Sequence, residues 1–132
     1  MEVLRLRGTR PAKITGVSLR GDDGLTLVGV RLVGPDRGLG AVQYSPSWPP
    51  AHDPDFGGAR MLPADTVLTP AGAGGAGWEL LLGLRADEPG RYERTAVVID
   101  YTVGGRAYTS VRPAELVVCV QRQPVHGRPR CA

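Results

Sequence analysis

Apolar and polar residues alternate with a period of two over much of this chain. Nowhere do apolar residues recur at three-and-four spacing over a helix-length window without a Gly or Pro interrupting. The chain therefore reads as strands. The clearest run is Trp78 to Arg85, which puts Trp78, Leu80, Leu82 and Leu84 on one face and Glu79 and Arg85 on the other, and so predicts a core-facing strand. Thr95 to Val103 repeats the pattern, with Val97, Ile99, Tyr101 and Val103 opposite Asp100 and Thr102. Gly104-Gly105 then predicts a hairpin into Arg106 to Val111. Past Pro113, Leu116 to Val120 is apolar on both faces and predicts a central or well-covered strand.

In the amino-terminal half, Lys13 to Arg20 and Leu25 to Val33 predict two strands. Gly21-Asp22-Asp23-Gly24 between them predicts a hairpin turn, because Gly and Asp tolerate the backbone angles such turns need. Val3 to Arg7 sets Val3, Arg5 and Arg7 against Leu4 and Leu6, the pattern of an edge strand with one wet face. Gly34 to Gly77 is rich in proline and glycine and reads as a long insertion. Short strands are expected inside it at Ala41 to Tyr44 and Thr66 to Thr69, and a low-complexity loop at Ala71 to Gly77. About seven short strands separated by turn signals predict an all-β sandwich.

At 132 residues the chain has the length of one domain, with residues 121 to 132 as a tail. Its 42% hydrophobic and 22% charged residues are those of a globular protein, and no run of about 18 apolar residues predicts a membrane span. The net charge is +3, and Lys13 is the only lysine. With so much Gly, Ala, Val and Pro, that arginine bias is similar to proteins of high-GC bacteria. The arginines run from Arg5 to Arg130 interspersed with acids, so no nucleic-acid partner is expected. Met1 to Arg7 lacks the features of a secretory signal. Two readings follow: a cytoplasmic protein, or an extracytoplasmic one whose leader or anchor lies upstream.

The stretch Asp87-Glu88-Pro89-Gly90-Arg91-Tyr92, followed by a strand and a Gly-Gly hairpin, resembles the Pro-Gly-x-Tyr entry to the penultimate strand of bacterial immunoglobulin-like (Ig-like) domains. The resemblance covers about a third of the chain. It implies an Ig-like sandwich in which Tyr92 is a corner tyrosine whose hydroxyl bonds back to the preceding loop. The same order of elements, ending near a cysteine, is similar to extracytoplasmic domains of actinobacterial secreted or membrane-anchored proteins. Two features depart from the family: the tyrosine strand carries no cysteine, and the central insertion is long.

Cys119 and Cys131 are the only cysteines. They are expected to form a disulfide that pins the Pro- and Arg-rich tail to the last strand and requires an oxidising compartment. The competing reading is a buried Cys119 and an unrelated, exposed Cys131. His52, Asp53, Asp55 and His126 match no ligand spacing and act more readily as turn formers, so no metal or other cofactor is expected. A cupredoxin-like copper site at Cys119 lacks the second histidine and the methionine it would need. Ser45, Ser47 and Ser110 have no base nearby in sequence, and the acid pairs Asp22-Asp23 and Asp87-Glu88 sit in turns. No catalytic residue is therefore assigned.

The segment from Tyr44 to Pro50, with Phe56 beyond it, concentrates aromatics and prolines. Tyr44, Trp48 and Phe56 then read either as a partner- or glycan-binding loop or as a cap folded onto an open end of the sandwich. The expected function is that of a non-enzymatic, extracytoplasmic Ig-like module with a structural or protein-interaction role. The alternatives are a cytoplasmic sandwich accessory to an enzyme or assembly, and a small-molecule or metal binder using the mouth between the sheets.

Overall fold

The computed structural model of the chain describes residues 2–6, 9–34, 47–50, 60–70 and 77–121. Among the described residues there is no helix, and seven strands run in the order β1 (Glu2–Leu4), β2 (Ala12–Gly21), β3 (Thr26–Val33), β4 (Met61–Pro63), β5 (Trp78–Arg85), β6 (Gly90–Val103) and β7 (Arg106–Val120). They form two antiparallel sheets, β1-β5-β3-β4 and β2-β6-β7.

The facing sides of the sheets share one apolar core. Leu4, Leu32, Trp78 and Leu80 come from the first sheet, Ile14, Val97 and Ile99 from the second, and Leu68 from the connection before β5. Leu32, Leu80 and Val97 are fully buried, which stabilises the fold by roughly 1.5–3 kcal/mol for each side chain. On β5, Trp78 and Leu80 are buried in the core and Leu82 packs against it, but the face expected to be wet is covered too, with Glu79 5% and Leu81 6% exposed. The buried indole of Trp78 keeps its polar edge satisfied by donating from Nε1 to the carbonyl of Thr69 at 2.9 Å. The turn at Gly104-Gly105 closes β6 onto β7 with both residues at positive φ, 56° and 78°, as a two-residue hairpin of primed type requires.

Several expected elements take a different form. Gly21 to Gly24 does not close a hairpin, because β2 and β3 belong to different sheets and the chain crosses between them there. The crossing is anchored on β6: the Asp22 amide donates to the Glu93 carbonyl at 2.8 Å, and Asp22 Oδ2 accepts the Glu93 amide at 2.6 Å. Gly21 sits at a bulge with φ of 138°, and a Cβ on it would fall 2.2 Å from the Glu93 carbonyl oxygen. Only glycine allows β2 to leave its sheet at that point.

The two strands expected after Gly105 are one, running through Pro113. β7 is an edge strand bonded only to β6 among the described residues, and the register shifts beside the proline, so the missing N–H is tolerated. Arg94, itself buried, donates from Nε to the Ala114 carbonyl at 2.9 Å where the ladder is interrupted. The apolar run from Leu116 accordingly has one wet face, with Val117 48% exposed, and is not central. Thr66 to Thr69 contributes only a bridge from Leu68 to Ala12, while Met61–Pro63 pairs with β3 in its place. The Val3 to Arg7 strand is limited to Glu2–Leu4, and the strand expected from Thr95 begins at Gly90. The strand expected at Ala41 to Tyr44 lies outside the described residues.

Candidate functional site: a cleft between the sheet edges

The first sheet ends at β1, three residues long, and the second at β7, fifteen residues long. Residues of both edges line one cleft of about 350 Å³. The inequality of the two edges accounts for it, because three residues at about 3.3 Å each cannot roof a strand five times longer. The sheets part on this side, and the opening reaches down to the core.

Register determines which side chains face the cleft. On the second sheet, Ile14 pairs with Tyr101 and Tyr101 with Tyr108, while Val17 pairs with Ile99 and Ile99 with Ser110. Cross-strand partners share a face, so Tyr108 and Ser110 of β7 point the same way as the buried Ile14 and Ile99. The floor is core material: Leu4, Ile14, Leu68 and Ile99 belong to the buried cluster and also line the opening. The wall is aromatic. Tyr101 and Tyr108 stack with ring centroids 5.5 Å apart and an interplanar angle of 19°, and the Arg106 guanidinium lies 5.7 Å from the Tyr108 centroid. Such contacts hold a surface tyrosine in one orientation.

The rim is basic. Arg5, Arg10 and Arg112 line the cleft, and among the described residues no carboxylate does. Arg5 and Arg10 also have no ion-pair partner among the described residues. The Arg10 guanidinium lies over the β6–β7 turn, 3.1 Å from where a Cβ of Gly104 would be, while Arg112 sits four residues along β7 from Tyr108. The positive charges thus bracket the aromatic wall. An apolar pocket at the small end of the usual ligand-site range of roughly 300–1,000 Å³, rimmed by arginines, is suited to binding an anionic group beside an apolar one.

The residues singled out in sequence lie elsewhere. Trp48 is half-buried on the outer face of the first sheet. Its ring lies where a Cβ on Gly29 would come within 2.1 Å of Nε1, and one on Gly83 within 2.6 Å of Cε3. Gly29 and Gly83 are direct partners, next to the core-facing pair Val30 and Leu82, so the two glycines form a flat seat on the opposite face. Trp48 therefore covers that outer face and not an open end of the sandwich. Tyr44 and Phe56 lie outside the described residues, as do His52, Asp53, Asp55, His126 and Ser45. Among the described residues no three His, Cys, Asp or Glu side chains are grouped to hold a metal ion.

Tyr92, in β6, donates from its hydroxyl to the Glu88 carbonyl at 2.8 Å, and its ring occupies the space a Cβ on Gly24 would need. Cys119 lies exposed on β7 opposite Arg91 and is not a free cysteine; Cys131 is outside the described residues. A mouth between the sheets was among the sequence alternatives, but the residues that line this cleft were not singled out. Its one legible signal was the arginine-leucine alternation at Arg5 and Leu6, a pattern equally fitting for a solvated edge.

Comparison with protein-family models, curated proteins and solved structures finds no match to this chain. Among the described residues no helix is long and apolar enough to cross a membrane.

Proposed function

We propose that this chain is a non-enzymatic, extracytoplasmic Ig-like module that works by binding, and that its binding surface is the cleft between β1 and β7. The observation that carries the reading is an opening lined by core residues under a basic rim, on which Arg5 and Arg10 have no ion-pair partner among the described residues.

Strand order supports the Ig-like part. Ig-like sandwiches pair strands B-E-D in one sheet and C-F-G in the other, and β1-β5-β3 with β2-β6-β7 follows that order when β1 takes the place of B. Tyr92, near the start of the strand in position F with its hydroxyl bonded four residues back, matches the corner tyrosine of that family. The extracytoplasmic part rests on the proposed Cys119–Cys131 bridge, which an oxidising compartment would sustain.

The binding reading is tested with a neutral, environment-sensitive dye such as Nile red. The expected result is enhanced fluorescence saturating at one dye per chain and abolished by Ser110→Trp, which fills the cleft from the β7 side. Fluorescence equally strong in the Ser110→Trp protein would remove the cleft as the binding surface.

A further inference from the structure

We infer that the cleft's ligand is a small organic monocarboxylate with a flat apolar body about two fused rings long, its carboxylate held by Arg10 and its body laid along Val103 and Tyr101. This inference rests on the binding reading above and specifies the occupant.

The first argument is size. At about 30 Å³ per water molecule, a cleft of about 350 Å³ holds about a dozen waters, which a ligand with on the order of a dozen non-hydrogen atoms would displace. That is the scale of a small molecule.

The second argument is charge. Arg5 and Arg10 both belong to the connection from β1 in the first sheet to β2 in the second, so one short segment delivers two exposed cations to the rim. Neither has an ion-pair partner among the described residues, and no described carboxylate lines the cleft. Arg112 already has an interaction of its own, so the recognition falls to the connection. Arg10 is the cation beside the wall: its guanidinium lies over Gly104, the residue after Val103. A planar guanidinium matches a carboxylate through two parallel hydrogen bonds. One such group neutralises one negative charge, and a dianion would hold its second charge unpaired against apolar surface. Arg5 adds positive field that draws the anion to the mouth.

The third argument is the wall. Leu4, Ile14, Leu68 and Ile99 are already buried, so the surface a ligand would cover is that of the half-buried Leu6, Tyr101 and Val103 and of Tyr108, which is 41% exposed. Tyr101 and Val103 lie two positions apart on one face of β6, a separation of about 6.6 Å at about 3.3 Å per residue. The apolar strip that begins beside Arg10 therefore has about the length of two fused rings. Stacking on Tyr108 holds Tyr101 in place before a ligand arrives, which keeps the ordering cost of binding small.

The probe is 2-naphthoate, titrated into the full chain by calorimetry at low ionic strength, with 2-naphthamide as its neutral counterpart. The expected result is one saturable site per chain, displacement of Nile red, and binding about tenfold or more tighter than the amide's, the margin one charge-assisted pair supplies. Arg10→Gln should remove that margin and leave the amide's affinity unchanged, Arg5→Gln should weaken naphthoate binding by less, and Ser110→Trp should abolish it. The inference is overturned if the amide binds as tightly as the carboxylate, if naphthoate binding survives unchanged in the Arg10→Gln or Ser110→Trp protein, or if 2-naphthyl phosphate binds about tenfold tighter than 2-naphthoate. The comparison of carboxylate with amide uses the unaltered chain, so it decides the question even where a variant fails to fold. Nile red that binds in the cleft and is not displaced by 2-naphthoate sinks this inference and leaves the binding reading standing. Absence of dye binding by the unaltered chain removes both.

Discussion

The seat of Trp48 on Gly29 and Gly83 makes a quantitative prediction through a double-mutant cycle. Full burial of a tryptophan is worth about 3–5 kcal/mol against alanine, and Trp48 is half-buried, so Trp48→Ala should cost about 2 kcal/mol. Unfolding entropy of about 2.1 cal/mol/K per residue over 132 residues converts that to a fall in Tm of about 7 °C. Gly29→Ala should cost a similar amount by itself, because the three atoms nearest its added Cβ all belong to the Trp48 ring, at 2.1, 2.7 and 3.0 Å, and the ring has to leave its seat. Gly29 does not have a positive φ, so with Trp48 removed the same alanine is free of those three contacts and of backbone strain. It should then be neutral or stabilise by about 0.4–1 kcal/mol through the unfolded chain. The coupling energy is therefore about 2 kcal/mol or more. Urea denaturation of the four proteins at constant m-value measures it. Additive losses, with the double variant about 4 kcal/mol less stable, would refute the seat and with it the view that Trp48 serves the fold.

Two further predictions address the sheet crossing and the tail. Gly21→Ala should destabilise by about 2 kcal/mol or more and by more than Gly105→Ala, because the first adds a backbone clash to an unfavourable φ and the second, with nothing within 4 Å, has the φ cost alone; equal losses in thermal melts would contradict the anchoring of β2 on Glu93. Thiol titration of the denatured, unreduced chain should find no free thiol, and reduction should lower stability by roughly 2–3 kcal/mol; two titratable thiols in oxidised protein would exclude the Cys119–Cys131 bridge and the compartment argument built on it.

The all-β class was legible in the sequence because a strand records which face is wet in the alternation of its own side chains. Trp78, Leu80, Val97 and Ile99 announced their burial in that way, and Gly104-Gly105 announced its turn through backbone angles that few residues besides glycine adopt readily. Local information of this kind does not say which strands become neighbours. Gly21 to Gly24 carries turn chemistry suited equally to a hairpin and to a crossing, and the choice was made by Glu93, 71 residues from Asp22 in the chain. For the same reason Leu116 to Val120 looked interior: a valine's hydrophobicity is fixed, but its exposure depends on whether another layer covers it. The cleft is the extreme case. It arises from the unequal lengths of two edges in different sheets, and Arg5, Arg10, Tyr108 and Arg112 share a rim only because residues far apart in sequence meet across them. The pattern of residues by itself determined strands, turns and much of the core, whereas pairing order, edges and the binding surface were decided by the tertiary structure, because each depends on contacts between segments that are not adjacent along the chain.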